Sequence, residues 1–175
     1  MKQIKQSRRK FIKSVGLCGA AFSIIPRHVL GKGFIAPSDT LYIGGIGVGG
    51  KGFSDLTEPA KSDKVKIISL CDVDDRRAKR AIATFPGASY YHDYREMLDK
   101  ETAIDAVTIV TPDHMHAIQT LDAMQRGKHV YVQKPLTHDI HEARQLTEAA
   151  HKYKVVTQMG NQGASGDGVR KMQEW

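Results

Sequence analysis

The stretch Leu41–Gly52, LYIGGIGVGGKG, constrains this chain more than any other. Leu41, Tyr42, Ile43 and Ile46 form an apolar, β-prone run that leads straight into Gly47-Val48-Gly49-Gly50-Lys51-Gly52. A strand ending in a G-x-G-x-x-G turn lets backbone come close to a pyrophosphate, because no Cβ stands in the way. The helix that follows adds N–H donors and the positive end of its dipole. A second apolar run, Val65–Cys71, ends in Asp72, 20 residues beyond Gly52. A carboxylate there is placed to accept hydrogen bonds from an adenosine ribose. These features predict a dinucleotide site made by Gly47, Val48, Gly49, Gly50, Gly52 and Asp72. The register Gly45-x-Gly47-x-x-Gly50 also fits the pattern, but the later one keeps Ile43 and Ile46 inside the strand. A plain glycine-rich surface loop is the competing reading, opposed by Asp72 and by the strand on each side.

Asp72 also bears on which dinucleotide. Its charge would repel a 2′-phosphate, so NAD is expected over NADP, although Arg76 and Arg77 lie close enough in sequence to offset part of that repulsion. A bulky side chain at Gly49 is expected to block the pyrophosphate while leaving much of the fold intact.

Beyond Asp72 the pattern keeps alternating. Helix-like Asp75–Ala83 is followed by a short strand candidate, Ser89–Tyr91. Asp93 and Glu96 read as a capping box for a helical turn over Tyr94–Leu98. Strand candidates Ile104–Val110, His129–Val132 and Val155–Thr157 alternate with helix candidates His114–Arg126, stopped by Gly127, and Asp139–Lys152. Nearly continuous apolar strands alternating with helices predict a Rossmann-type, doubly wound parallel sheet over residues 39–158. Residues 159–175 read as the start of a second, α+β substrate domain, and Val169–Trp175 as a helix cut short.

Residues 1–38 read as an address and linker. Ser7-Arg8-Arg9-Lys10-Phe11-Ile12-Lys13 precedes an uncharged run of 11 residues, Val15–Ile25, closed by Pro26. The pattern is that of a twin-arginine export signal, which implies a periplasmic protein. An 11-residue run is too short to span a bilayer core of about 30 Å. No A-x-A site marks where it would be cleaved, and the leucine before Cys18 makes a poor lipidation site. A basic arm for nucleic acid or membrane surface is the alternative. These residues hold eight of the 26 Lys and Arg and no acid, leaving 18 basic against 19 acidic residues, a net of −1. The overall charge of +7 therefore belongs to the leader, and the folded part carries no signature of nucleic-acid binding. Cys18 and Cys71 do not look like a disulfide pair.

Five segments in order, IGVGGKG (46–52), CDVDDRRA (71–78), YHDYREML (91–98), VTIVTPDHMHA (107–117) and GKHVYVQKPL (127–136), resemble the Gfo/Idh/MocA oxidoreductases. The leader together with TQMGNQG (157–163) resembles the exported branch of that family. The resemblance implies an NAD(P)-dependent enzyme acting on a hydroxyl of a sugar, glycoside or cyclitol. Lys134 fills the lysine of the family's E-K-P motif and would be catalytic, holding the substrate hydroxyl as hydride leaves. Gln133 stands where the family usually has Glu. Thr111, Pro112, His114, Gln133 and Lys134 would contact cofactor, with His116 near the nicotinamide as a second catalytic candidate. Asn161 and Gln162 would line the domain junction or simply form a turn.

A metal reading of Asp113, His114 and His116, with His138 and His141 downstream, is disfavoured, because His114 and His116 begin a helix on different faces. The family's remaining catalytic residues belong to a second domain, so this chain alone is expected to bind cofactor without turning over substrate. A homo-oligomer is compatible with the full-length protein. Two other functions fit the same motifs: a glycoside hydrolase that uses NAD redox-neutrally, and a non-enzymatic sensor with a retained nucleotide domain, the latter opposed by Lys134.

Overall fold

A computed structural model describes residues 39–175; the expectations for the export signal lie outside the described residues. Strand β1 (Leu41–Ile46) leads through the glycine turn into α1 (Lys51–Thr57), then β2 (Val65–Cys71), α2 (Asp75–Thr84), β3 (Ser89–Tyr91) and α3 (Tyr94–Lys100). The second half runs β4 (Ala106–Ile109), α4 (Asp113–Gln125), β5 (His129–Gln133), α5 (Ile140–Tyr153), β6 (Thr157–Gly160) and α6 (Asp167–Glu174). The six strands are parallel, in the order β3-β2-β1-β4-β5-β6. Connections run outward in both directions from the β1/β4 pair, so the loops after β1 and β4 diverge and open a crevice at the carboxyl edge.

Two apolar clusters form the core. Ile43, Val48, Leu56, Ile67, Leu70, Ala78 and Ala81 pack together between the sheet and α1 and α2. The larger cluster, including Ile46, Met97, Val107, Ile109, Met124, Val132 and Leu146, joins the sheet to α3, α4 and α5. Ile43 and Ile46 fall in different clusters because their odd spacing points them to opposite faces. Strand β2 carries one extra residue beside β1: Ile43 pairs with Ile67 but Gly44 pairs with Ser69. This bulge brings Ile67 and Leu70 into the same cluster despite their odd spacing.

Asp74, Asp93 and Asp139 cap α2, α3 and α5 with side-chain oxygens that accept from main-chain N–H groups. The expected capping box at Asp93 is half made: Asp93 accepts from the Arg95 N–H, while Glu96 turns along the helix to pair with Lys100 at 2.6 Å. The last strand begins at Thr157 rather than Val155. Lys154 takes a left-handed conformation (φ 55°) as it ends α5, and the Val155 N–H is still bonded back to Ala150. Among the described residues no helix is long and apolar enough to cross a membrane.

Candidate cofactor cleft and active site

Gly47 and Gly50 have φ of +78° and +54°, which side chains disfavour. The Gly47 N–H donates to the Cys71 carbonyl at 2.8 Å, tying the start of the turn to the end of β2. A Cβ on Gly52 would lie 1.8 Å from the Gly47 carbonyl oxygen, so the turn closes against α1 only with glycine there. Gly45 lies inside β1, which leaves Gly47-x-Gly49-x-x-Gly52 as the register of the turn. Gly49 differs from expectation. A Cβ there would come within 2.7 Å of the Arg77 Cβ, because the first turns of α2 pack on the glycine turn. Bulk at position 49 would displace α2 as well as crowd a ligand, so it cannot separate binding from folding.

Asp72 spans the same junction. Its Oδ2 accepts from the Val48 and Gly49 N–H groups at 3.0 and 3.1 Å, and its Oδ1 accepts from the Asp74 N–H at 3.0 Å. A carboxylate offers about four lone-pair positions, so capacity remains for a ribose hydroxyl. Of the two arginines expected to offset the repulsion of a 2′-phosphate, Arg77 lines the cleft and Arg76 pairs with Asp74. The Arg76 Nε and Nη2 both donate to the Asp74 carboxylate at 3.1 Å, which lowers the Asp74 pKa and raises that of Arg76.

Beside the turn lies a cleft of about 480 Å³. Gly47, Gly49, Asp72, Thr111 and Pro112 line it, as the motifs predict. Val73 and Arg77 from CDVDDRRA and His92 and Tyr94 from YHDYREML line it too, with Gln119, which lies outside the five segments. They reach the cleft from α2, α3, α4 and neighbouring loops, and periodicity alone does not bring those together. Cys71 is a buried free thiol at the cleft, its pKa pushed up to about 12 by burial and then by Asp72 and Asp93. Gly50, Gly52 and Val48 do not line it; Val48 is fully buried in the core.

The other predicted residues gather at the ends of β4 and β5. Ile109 pairs with Val132, so Thr111 and Lys134 each lie two residues past the same rung. His116 joins the two loops. Its Nδ1 lies 2.7 Å from the Pro135 carbonyl oxygen and its Nε2 lies 2.8 Å from that of Thr111. The residue is 1% exposed and both ring nitrogens face main-chain carbonyl oxygens, to one of which a neutral imidazole donates, so the ring is turned into the protein and not toward a substrate. His114 is exposed on the first turn of α4, and among the described residues no three His, Cys, Asp or Glu side chains gather as metal ligands. Gln133 is buried; its Oε1 accepts from the Lys134 N–H at 2.8 Å. Lys134 is exposed, and its bond to Pro135 is cis. Asn161 is exposed, and Gln162 donates to the Tyr131 hydroxyl, away from the cleft.

Residues 41–161 match the family model of the Gfo/Idh/MocA oxidoreductases, described as an oxidoreductase family with an NAD-binding Rossmann fold. The chain belongs to that family. The fold superposes on myo-inositol 2-dehydrogenase from Lactobacillus plantarum with a TM-score of 0.70 at 27% identity, over 77% of this chain and 40% of that one. For scyllo-inositol dehydrogenase from Lactobacillus casei the TM-score is 0.69 at 26% identity, over 78% and 40%. In sequence the chain is 31% identical over 170 residues to an alpha-N-acetylgalactosaminidase from Shewanella oneidensis, covering 83% of this chain and 37% of that protein. The chain thus spans well under half the length of these relatives.

The cleft suits the family's NAD. The turn admits no Cβ at Gly47 or Gly52, and Asp72 stands at the end of β2 where a ribose would lie. Arg76 pairs with Asp74 at the surface and Arg77 lines the cleft, so a preference for NAD over NADP rests on the charge of Asp72.

Proposed function

We propose that this chain is the cofactor-binding part of an NAD-dependent enzyme that oxidises a hydroxyl-bearing carbon of a sugar, glycoside or cyclitol. The observation that carries the reading is the position of Lys134. It is exposed at the carboxyl edge, level with Thr111, on a loop held by His116 and Gln133. Bound NAD supplies the hydride acceptor. The Lys134 ammonium offers three donors and a charge to an alkoxide developing on the substrate. His116 acts as a positioning residue that fixes the spacing of the Thr111 and Pro135 loops.

The test is Lys134→Ala in the enzyme assayed with its substrate domain. Turnover should fall about 10²–10⁴-fold, the range of a positioned proton-transfer group, with NAD affinity nearly unchanged. Loss of NAD binding with normal residual turnover would reverse these roles.

A second reading has its own support, since relatives at 31–32% identity bear glycosyl hydrolase family 109 and alpha-N-acetylgalactosaminidase names. There the hydride would return to the sugar after the aglycone leaves. Release of aglycone from an aryl glycoside without net NADH favours the hydrolase; stoichiometric NADH favours the dehydrogenase.

We also propose export by the twin-arginine route as a folded, cofactor-loaded protein. The support is the Arg8-Arg9 pattern and the cytoplasmic origin of NAD. Arg8→Lys with Arg9→Lys should retain the protein in the cytoplasm, and unchanged periplasmic yield would reduce the arginines to an ordinary basic segment.

A further inference from the structure

The amide at position 133 has a partner that explains it. The Gln133 Nε2 donates to Asp55 Oδ2 at 2.6 Å, 78 residues earlier in the chain, on α1. Its Oε1 accepts from the Lys134 N–H at 2.8 Å. Asp55 gives its other oxygen to the Lys51 ammonium one turn back on α1. The Asp55 side chain is 6% exposed and Gln133 5%. This relay runs from the half-exposed Lys51 at the start of α1 through the buried Asp55 and Gln133 side chains to the main chain of Lys134.

We propose that Asp55 is a positioning residue for the nicotinamide end of the site, acting through Gln133. A carboxylate accepts and cannot donate, so a glutamate at 133 would set two acceptors 2.6 Å apart out of water. An amide at 133 accepts from the Lys134 N–H and donates to Asp55 at the same time, whereas an ionised carboxylate could only accept. The single negative charge of the pair therefore resides on α1, next to Lys51, and not on β5. The inference rests on the reading above, in which the nicotinamide lies at the ends of β4 and β5.

The test compares NADH with ADP-ribose, which lacks nicotinamide, by titration of the purified protein. Gln133→Glu should weaken NADH about ten- to a hundredfold, the range expected when a charged hydrogen bond is replaced by a like-charge contact, and change ADP-ribose less than about twofold. Adding Asp55→Asn restores one donor and one charge to the pair, so the double variant should return to within about threefold of the parent. Should Gln133→Glu fail to fold, the double variant still decides, because folding and NADH binding must both come back.

A double variant no better than Gln133→Glu would overturn the proposal, as would an equal loss of ADP-ribose binding. A parent that binds NADH no differently from ADP-ribose would overturn both this inference and the placement of the nicotinamide. A preference for NADH that ignores the swap would overturn this inference alone.

Discussion

Cys71 and Asp72 sit side by side at the end of β2 and are held in opposite ways. The Cys71 thiol is buried among apolar side chains beside two carboxylates, which favours its neutral form. Its unfolded value is near 9.0 and its folded value about 12, so burial of the thiol stabilises the fold fully below about pH 9. That contribution is lost as pH rises from 9 toward 12. In a Cys18→Ser background, a thiol reagent at about pH 8 should label Cys71 only after denaturation; prompt labelling of native protein would contradict the burial. Asp72 accepts from three main-chain N–H groups. Asp72→Ala should therefore cost about 2 kcal/mol or more of stability as well as NAD affinity. A variant as stable as the parent in urea, binding NADP as tightly as the parent binds NAD, would show that Asp72 acts on the ribose alone.

Glycines within the elements differ sharply in what they permit. Gly52→Ala forces a methyl to 1.8 Å from a carbonyl oxygen, with main chain on both sides of the clash. It should destabilise by about 2–3 kcal/mol and loosen the turn that α1 closes. Gly87, in the turn before β3, has open space where a Cβ would stand and no positive φ. Gly87→Ala should be neutral or stabilising by up to about 1 kcal/mol, through the unfolded chain. A pair of denaturation curves separates the two positions; equal effects would mean that the close approach at Gly52 is not maintained in solution. For α5, Asp139→Ala removes the acceptor for the Glu142 N–H at 2.8 Å. Loss of that cap should cost about 1 kcal/mol.

At the scale of the whole molecule, the cofactor couples to folding by mass action. NAD at about a hundredfold over its dissociation constant should add about 2.7 kcal/mol to the stability of the domain. A thermal melt should show this as a rise of several degrees, larger with NAD than with NADP at the same concentration. The alternation of strands and helices was legible in the chain itself, because each apolar run, each cap and the glycine turn depend on neighbours within about five residues. The parallel α/β fold, the register of Gly47, Gly49 and Gly52, and the presence of Asp72 and Lys134 at strand ends all follow from such short segments. Strand periodicity, helix capping and positive φ are local properties, so residue order alone carries them. Packing between elements settled the rest: that Gly49 faces Arg77, that His116 bridges Thr111 to Pro135, and that Asp55 answers Gln133. Those contacts join residues on different elements, up to 78 positions apart, and depend on how helices settle on the sheet. No local pattern encodes that distance.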